Sequence, residues 1–150
     1  MSPEDDAGAD ADGAPGFDAV RWLTPEIVRA VHDEVLTPEN LAGEDGARPI
    51  EAVLGRIEQR AHYGDLPLDA VRIGAAYAVA IARAHAFIDG NKRTALLAME
   101  TFLRLHGYAL VGVDQLGLAD LMERVAAGEV DEVELHGALV SHAEPLEGAE

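Results

Sequence analysis

An all-α fold, a single bundle of about six helices, is what this sequence predicts. Three observations carry that expectation. The 150 residues suit one domain built on one core. Alanine and leucine outweigh β-branched runs, and hydrophobic residues make up 49% of the chain. Apolar positions recur at helical spacing through successive segments bounded by capping residues, glycines or prolines. Cysteine is absent, which excludes disulfides and thiolate metal sites.

Residues 1–18 (MSPEDDAGADADGAPGFD) are acidic, small and punctuated by glycine and proline, and read as a disordered tail ahead of a domain over 19–143. The first helix starts after Thr24 as N-cap, with Pro25 at its first position and Glu26 in its first turn. Ile27, Val31 and Val35 form its expected buried stripe, and Pro38 follows its end. Residues 40–48 (NLAGEDGAR) read as a loop. The second helix, 49–62, carries Ile50, Val53, Leu54, Ile57 and Ala61 at the 3.6-residue period, and YGDLPL at 63–68 breaks it. The third, 69–87, is capped by Asp69. It is apolar on nearly every face from Ile73 to Ile81, which places it at the centre of the bundle.

A fourth helix, 91–106, runs through Leu96, Leu97, Met99, Phe102 and Leu103 to Gly107, the expected left-handed terminator. A fifth, 115–127, stops at Gly128, and a sixth covers 131–142. The stretch YALVGV at 108–113 can pair as a minor strand, and 144–150 is expected to fray.

The formal charge is −17. Such a field opposes direct nucleic-acid binding, which rests on basic surfaces. With no spanning or leader-like segment, the expectation is a cytoplasmic protein without a membrane partner. A charge this large is also what a salt-rich, screening medium tolerates.

Against that background, HAFIDGNKRTA at 85–95 holds the only lysine of the chain. The segment joins the third and fourth helices, the two expected to be most buried, through a three-residue turn. A helix N-terminus offers free N–H groups and the positive end of the helix dipole at 90–93. Gly90 allows a tight turn and close approach of a ligand. Lys92 and Arg93 add two cations where the dipole favours acids, and a bound anion resolves that conflict. His85 is positioned as a general base, Asp89 as a hard oxygen ligand for Mg²⁺, and Asn91 as a donor to phosphate oxygens. Arg83 reaches either this site or an acidic neighbour. Taken singly, Asp89 reads as a helix cap and Lys92–Arg93 as a solvated pair; their joint spacing favours a site.

HAFIDGNKR resembles the signature of the Fic/Doc family, H-x-F-x-[D/E/N]-[G/A]-N-[K/G]-R. Lysine at 92 is similar to the Doc (death-on-curing) branch, where adenylylating relatives usually carry glycine. The likeness extends through IEAVLGRIEQRAHY at 50–63 and from AYAVAIARAH to FLRLHGY. It implies a small helical fold with the motif loop between two central helices. It also implies a toxin of a toxin–antitoxin pair that uses Mg-ATP to phosphorylate a protein hydroxyl, with translation elongation factor Tu the expected target.

On that resemblance His85 is the catalytic base and Asp89 holds Mg²⁺. Gly90, Asn91, Lys92 and Arg93 bind the nucleotide phosphates, Arg83 is a possible accessory, and Phe87 anchors the loop. A cognate antitoxin is the expected partner, since no [S/T]-x-x-x-E-[G/N] inhibitory pattern occurs in the chain. The second arginine of adenylylating relatives is Leu96 here, and Leu97 stands where Doc-like chains can carry a polar residue. Adenylyl transfer, or a binding module without turnover, are the alternatives.

Overall fold

The computed structural model describes residues 16–146. The six helices are α1 (Pro25–Val35), α2 (Ile50–His62), α3 (Ala70–Ala84), α4 (Asn91–Leu105), α5 (Gln115–Ala126) and α6 (Glu132–Val140). Two three-residue strands, β1 (Tyr108–Leu110) and β2 (Ala143–Pro145), complete the secondary structure among the described residues, apart from a 3-10 turn at Phe17–Ala19.

Local chemistry explains most of the helix starts. Thr24, Asp69 and Asp114 accept from the backbone N–H groups of Ile27, Arg72 and Gly117, which caps α1, α3 and α5. Asp131 and Glu134 form a reciprocal capping box on α6. Pro49 precedes α2 without a side-chain bond. Helix α4 is different: its N-cap is Gly90, so no side chain occupies its first N–H groups.

Helix α3 lies at the centre, packed by α4, α6, α2 and α5, while α1 covers α4 and α2. Twelve of its fifteen residues are buried, as its all-round apolar character requires. Gly74 lets α4 come close, since a Cβ there would stand 3.2 Å from Leu103 Cδ2. Tyr77 is fully buried on α3 and packs against Phe102 of α4. Its hydroxyl accepts from the Leu23 N–H at 3.1 Å, and burial holds its pKa above the ordinary tyrosine value.

Several boundaries differ from the sequence expectation. Helix α3 ends at Ala84, not Phe87, because His85 adopts the left-handed conformation (φ 53°, ψ 43°) and turns the chain. Ala86 and Phe87 then re-enter the core. The buried stripe of α1 is Val28, Val31 and His32, one step around from the expected Ile27–Val31–Val35 line. Glu144 and Pro145 do not fray: β2 pairs antiparallel with β1, and the Leu146 N–H donates to the Gly107 carbonyl at 2.8 Å. At the other end, Phe17 packs on Trp22 and His62 with ring centroids 5.1 and 5.4 Å apart, so 17–18 belong to the fold. The rest of the expected acidic tail and frayed terminus, 1–15 and 147–150, lies outside the described residues.

Candidate active site

The loop between α3 and α4 is built from its buried residues outward. Phe87 is 2% exposed and stacks face to face on His32 of α1, with centroids 3.9 Å apart. Asn91 at the start of α4 closes the loop: its Oδ1 accepts from the Phe87 N–H at 3.1 Å, and its Nδ2 donates to the Phe87 carbonyl at 2.8 Å. His32 Nε2–H donates to the Asp89 carbonyl at 2.7 Å. A short antiparallel contact joins Glu44 to Phe87: Asp45 N–H donates to Ala86 O, and Ile88 N–H donates to Gly43 O. The 40–48 loop is thus stitched along the motif.

These anchors present His85 and Asp89 outward. His85 is exposed, between the buried Ala84 and Ala86. A left-handed histidine costs about 1–2 kcal/mol, and such strain persists where the surroundings over-determine it. Asp89 is half-buried, and its Oδ2 accepts from the Leu41 N–H at 2.8 Å. Its other carboxylate oxygen makes no hydrogen bond among the described residues. That single hard oxygen suits an Mg²⁺ ion whose remaining ligands are phosphate oxygens and water. No group of three His, Asp or Glu poised for a metal occurs among the described residues, so a metal here depends on the ligand for its other donors.

Next to this loop opens a cavity of about 470 Å³, lined on one side by Gly90, Asn91, Lys92, Arg93 and Leu96, and on the other by Asp120, Met122 and Glu123 of α5. Thr37 and Asn40 close it from the loop after α1. The uncapped N-terminus of α4 and the two cations therefore face a space large enough for a small anionic ligand. His85, Asp89 and Arg83 are not part of its lining.

Both cations are engaged in this state. Lys92 Nζ pairs with Glu123 Oε2 at 2.8 Å, and Arg93 Nη2 donates to the Val35 carbonyl and lies 3.5 Å from Asn40 Oδ1. The Lys92–Glu123 side chains are 44% and 64% exposed, so the pair is worth well under about 1 kcal/mol and is easily exchanged.

Two expectations about side chains change. Asn91 spends its amide on Phe87, leaving one Nδ2 hydrogen for any ligand. Arg83 reaches neither the motif nor an acid. Its Nε and Nη2 donate to the carbonyls of Val125 and Val130 at 2.9 and 2.7 Å, where they tie the end of α5 to α3.

The sequence reading passed over His32, Asn40, Asp120 and Glu123. For His32 the signal was present, since it follows Val28 by four residues on the buried face of α1. The α5 acids carried none, because no local pattern says which helix faces Lys92.

Residues 22–103, more than half of the chain, match the model of the Fic/DOC family. The chain belongs to the Fic/Doc family. Over 112 residues, 74% of this chain and 86% of the relative, it is 38% identical to "Protein kinase doc" of Escherichia phage P1. It is also 45% identical over 58 residues, 38% of this chain, to "Toxin Doc" of Mycolicibacterium smegmatis, of which the match spans 45%. The matched span of this Fic/Doc domain takes in α1 to α4 up to Leu103, and with them the whole motif loop.

Proposed function

We propose that this Fic/Doc protein is a toxin of a toxin–antitoxin pair that transfers the γ-phosphate of ATP to a protein hydroxyl. Translation elongation factor Tu is its expected target, and arrest of translation the result. The observation that carries the reading is the pairing of Lys92 and Arg93 with an uncapped helix N-terminus at a cavity of about 470 Å³. Free N–H groups, a helix dipole and two cations converge there in a chain of charge −17, and a polyphosphate is the ligand that answers all of them. The printed name of the phage P1 relative, a protein kinase, supports a phosphoryl group as cargo. Leu96 adds a second support: an apolar side chain lines the cavity where adenylylating relatives carry an arginine.

On this reading Lys92 leaves Glu123 and binds a nucleotide phosphate, and Arg93 and the N–H groups of the first turn of α4 hold the others. Asp89 would hold Mg²⁺, which would supply charge neutralisation at the phosphates. His85 takes the proton from the acceptor hydroxyl as its oxygen bonds to the γ-phosphorus. The bond from that phosphorus to the β–γ bridging oxygen breaks, and ADP leaves. Phosphoryl transfer asks chiefly for positioning and charge stabilisation, which this rigid turn offers. The cognate antitoxin is the proposed partner that restrains the activity.

Incubation with purified elongation factor Tu and ATP labelled at the γ or the α position tests this. Label from the γ position alone is expected, and it should vanish with His85→Ala. Label from the α position would indicate adenylyl transfer, and no label with retained nucleotide binding would indicate a binding module.

A further inference from the structure

Successive groups of the turn 87–91 are held by different partners. Asn91 holds both sides of Phe87, the Gly43 carbonyl holds the Ile88 N–H, and the Leu41 N–H holds the Asp89 carboxylate. The Asp89 carbonyl has one partner among the described residues, the Nε2–H of His32 at 2.7 Å. Its acceptor is a carbonyl, so Nε2 carries the ring proton.

His32 is an unusual choice for its position. It is 3% exposed, and besides Tyr77 only His32 and Thr94 are buried polar side chains among the described residues. Its ring lies on Phe87, 12° from parallel, and its Cδ2 stands 3.6 Å from where a Gly90 Cβ would be. An apolar side chain would fill this place without the cost of burying an imidazole. What the imidazole adds is a donor, aimed at one peptide.

That peptide is the one its own residues leave free to turn. Gly90 has no Cβ, so the Asp89–Gly90 plane can turn over at little steric cost. The peptide is trans, with its C=O and N–H pointing opposite ways. With the carbonyl held on the α1 side, the Gly90 N–H is turned away from α1, and it donates to no group among the described residues. Gly90 lines the cavity of about 470 Å³ together with Lys92 and Arg93. Turned over, the plane would place a carbonyl oxygen where the N–H now stands, and that oxygen would repel an anion.

We infer, on the phosphate-binding reading given above, that His32 is a positioning residue for that site. Its Nε2–H selects the orientation of the Asp89–Gly90 peptide that offers an N–H, and not a carbonyl oxygen, to a ligand phosphate. His32 itself touches no ligand. Arg93 reaches the Val35 carbonyl near the same end of α1, so that end of the helix holds the motif at two points.

Two substitutions separate the donor from the packing. His32→Phe keeps a flat ring against Phe87 and removes the donor, whereas His32→Gln gives up the ring and keeps an amide N–H of similar reach. Thermal unfolding reports whether each is folded. In calorimetric titration with inorganic pyrophosphate, His32→Phe is expected to bind about tenfold or more weakly than the parent, the loss of one hydrogen bond to a charged group. His32→Gln should stay within about threefold of the parent. The reverse order, or equal weakening in both, would assign His32 to packing alone. A folded His32→Phe that binds as the parent does would overturn the role of His32 and leave the phosphate reading standing, while a parent that binds no pyrophosphate would overturn both. A second measurement needs neither variant. Scalar coupling through the hydrogen bond, between His32 Nε2 and the Asp89 carbonyl carbon, is expected in the ligand-free parent, and its absence would overturn the assignment.

Discussion

Asn91 grips the backbone of Phe87 from both sides, accepting from its N–H at 3.1 Å and donating to its carbonyl at 2.8 Å. This closes the span 87–91, and both groups lose their partner if the amide is removed. Asn91→Ala is expected to cost about 2 kcal/mol of stability, at about 1 kcal/mol per lost bond. Asn91→Asp keeps the acceptor but turns a carboxylate toward the Phe87 carbonyl, and should also lose stability. Urea unfolding measures both. A change below about 0.5 kcal/mol in the alanine variant would show that the loop is held by other contacts.

Gly90 has φ 82°, and a Cβ there would sit 3.5 Å from Val35 and Leu36, an ordinary contact. The expected cost of Gly90→Ala is therefore backbone strain of about 1–2 kcal/mol, without a steric term. Unfolding of that variant at the unchanged denaturant midpoint would contradict the assigned turn.

Glu123 competes with any anion for Lys92. Glu123→Gln removes the competing charge while changing stability by less than about 0.5 kcal/mol, since the pair is exposed. Calorimetric titration with ATP should show several-fold tighter binding, about 1 kcal/mol. Unchanged affinity would mean that Lys92 does not leave Glu123 for the nucleotide.

Glu100 of α4 is half-buried, and burial raises its pKa above the ordinary 4.5, against a smaller opposing hydrogen bond from Gln115. The folded state thus binds its proton more tightly than the unfolded chain. Its contribution to stability is fully present below pH 4.5 and is lost as pH rises through the raised value. Glu100→Gln should flatten that part of the stability profile, and its advantage over the parent should shrink as pH falls. A parallel profile for parent and variant would place the titration elsewhere.

The helices and the first caps were legible because each depends on residues close in sequence: Thr24 and Asp69 act within one turn of themselves. The motif was legible for the same reason, as 85–93 is a single local joint. What escaped was set by pairing across the chain. The left-handed turn at His85 shortens α3 because Phe87 is wanted by His32, 55 positions earlier. Strand β2 exists because β1 offers an edge, not because AEP favours extension. The occupancy of Lys92 by Glu123 depends on how α5 docks, which no spacing within α4 records. Glu100 is half-buried for that reason too.

Arg83 does not face the cavity at Lys92, yet it bears on the width of that space. It fastens the last turn of α5 to α3, and α5 carries the wall opposite Lys92. Helix α4 is packed on the same α3. The two walls are therefore hung from one central rod, and the gap between them is set at a distance by a side chain that no ligand touches. A wider ligand would have to bend α5 about this fastening, which makes the guanidinium of Arg83 a spacer for the pocket rather than a member of it.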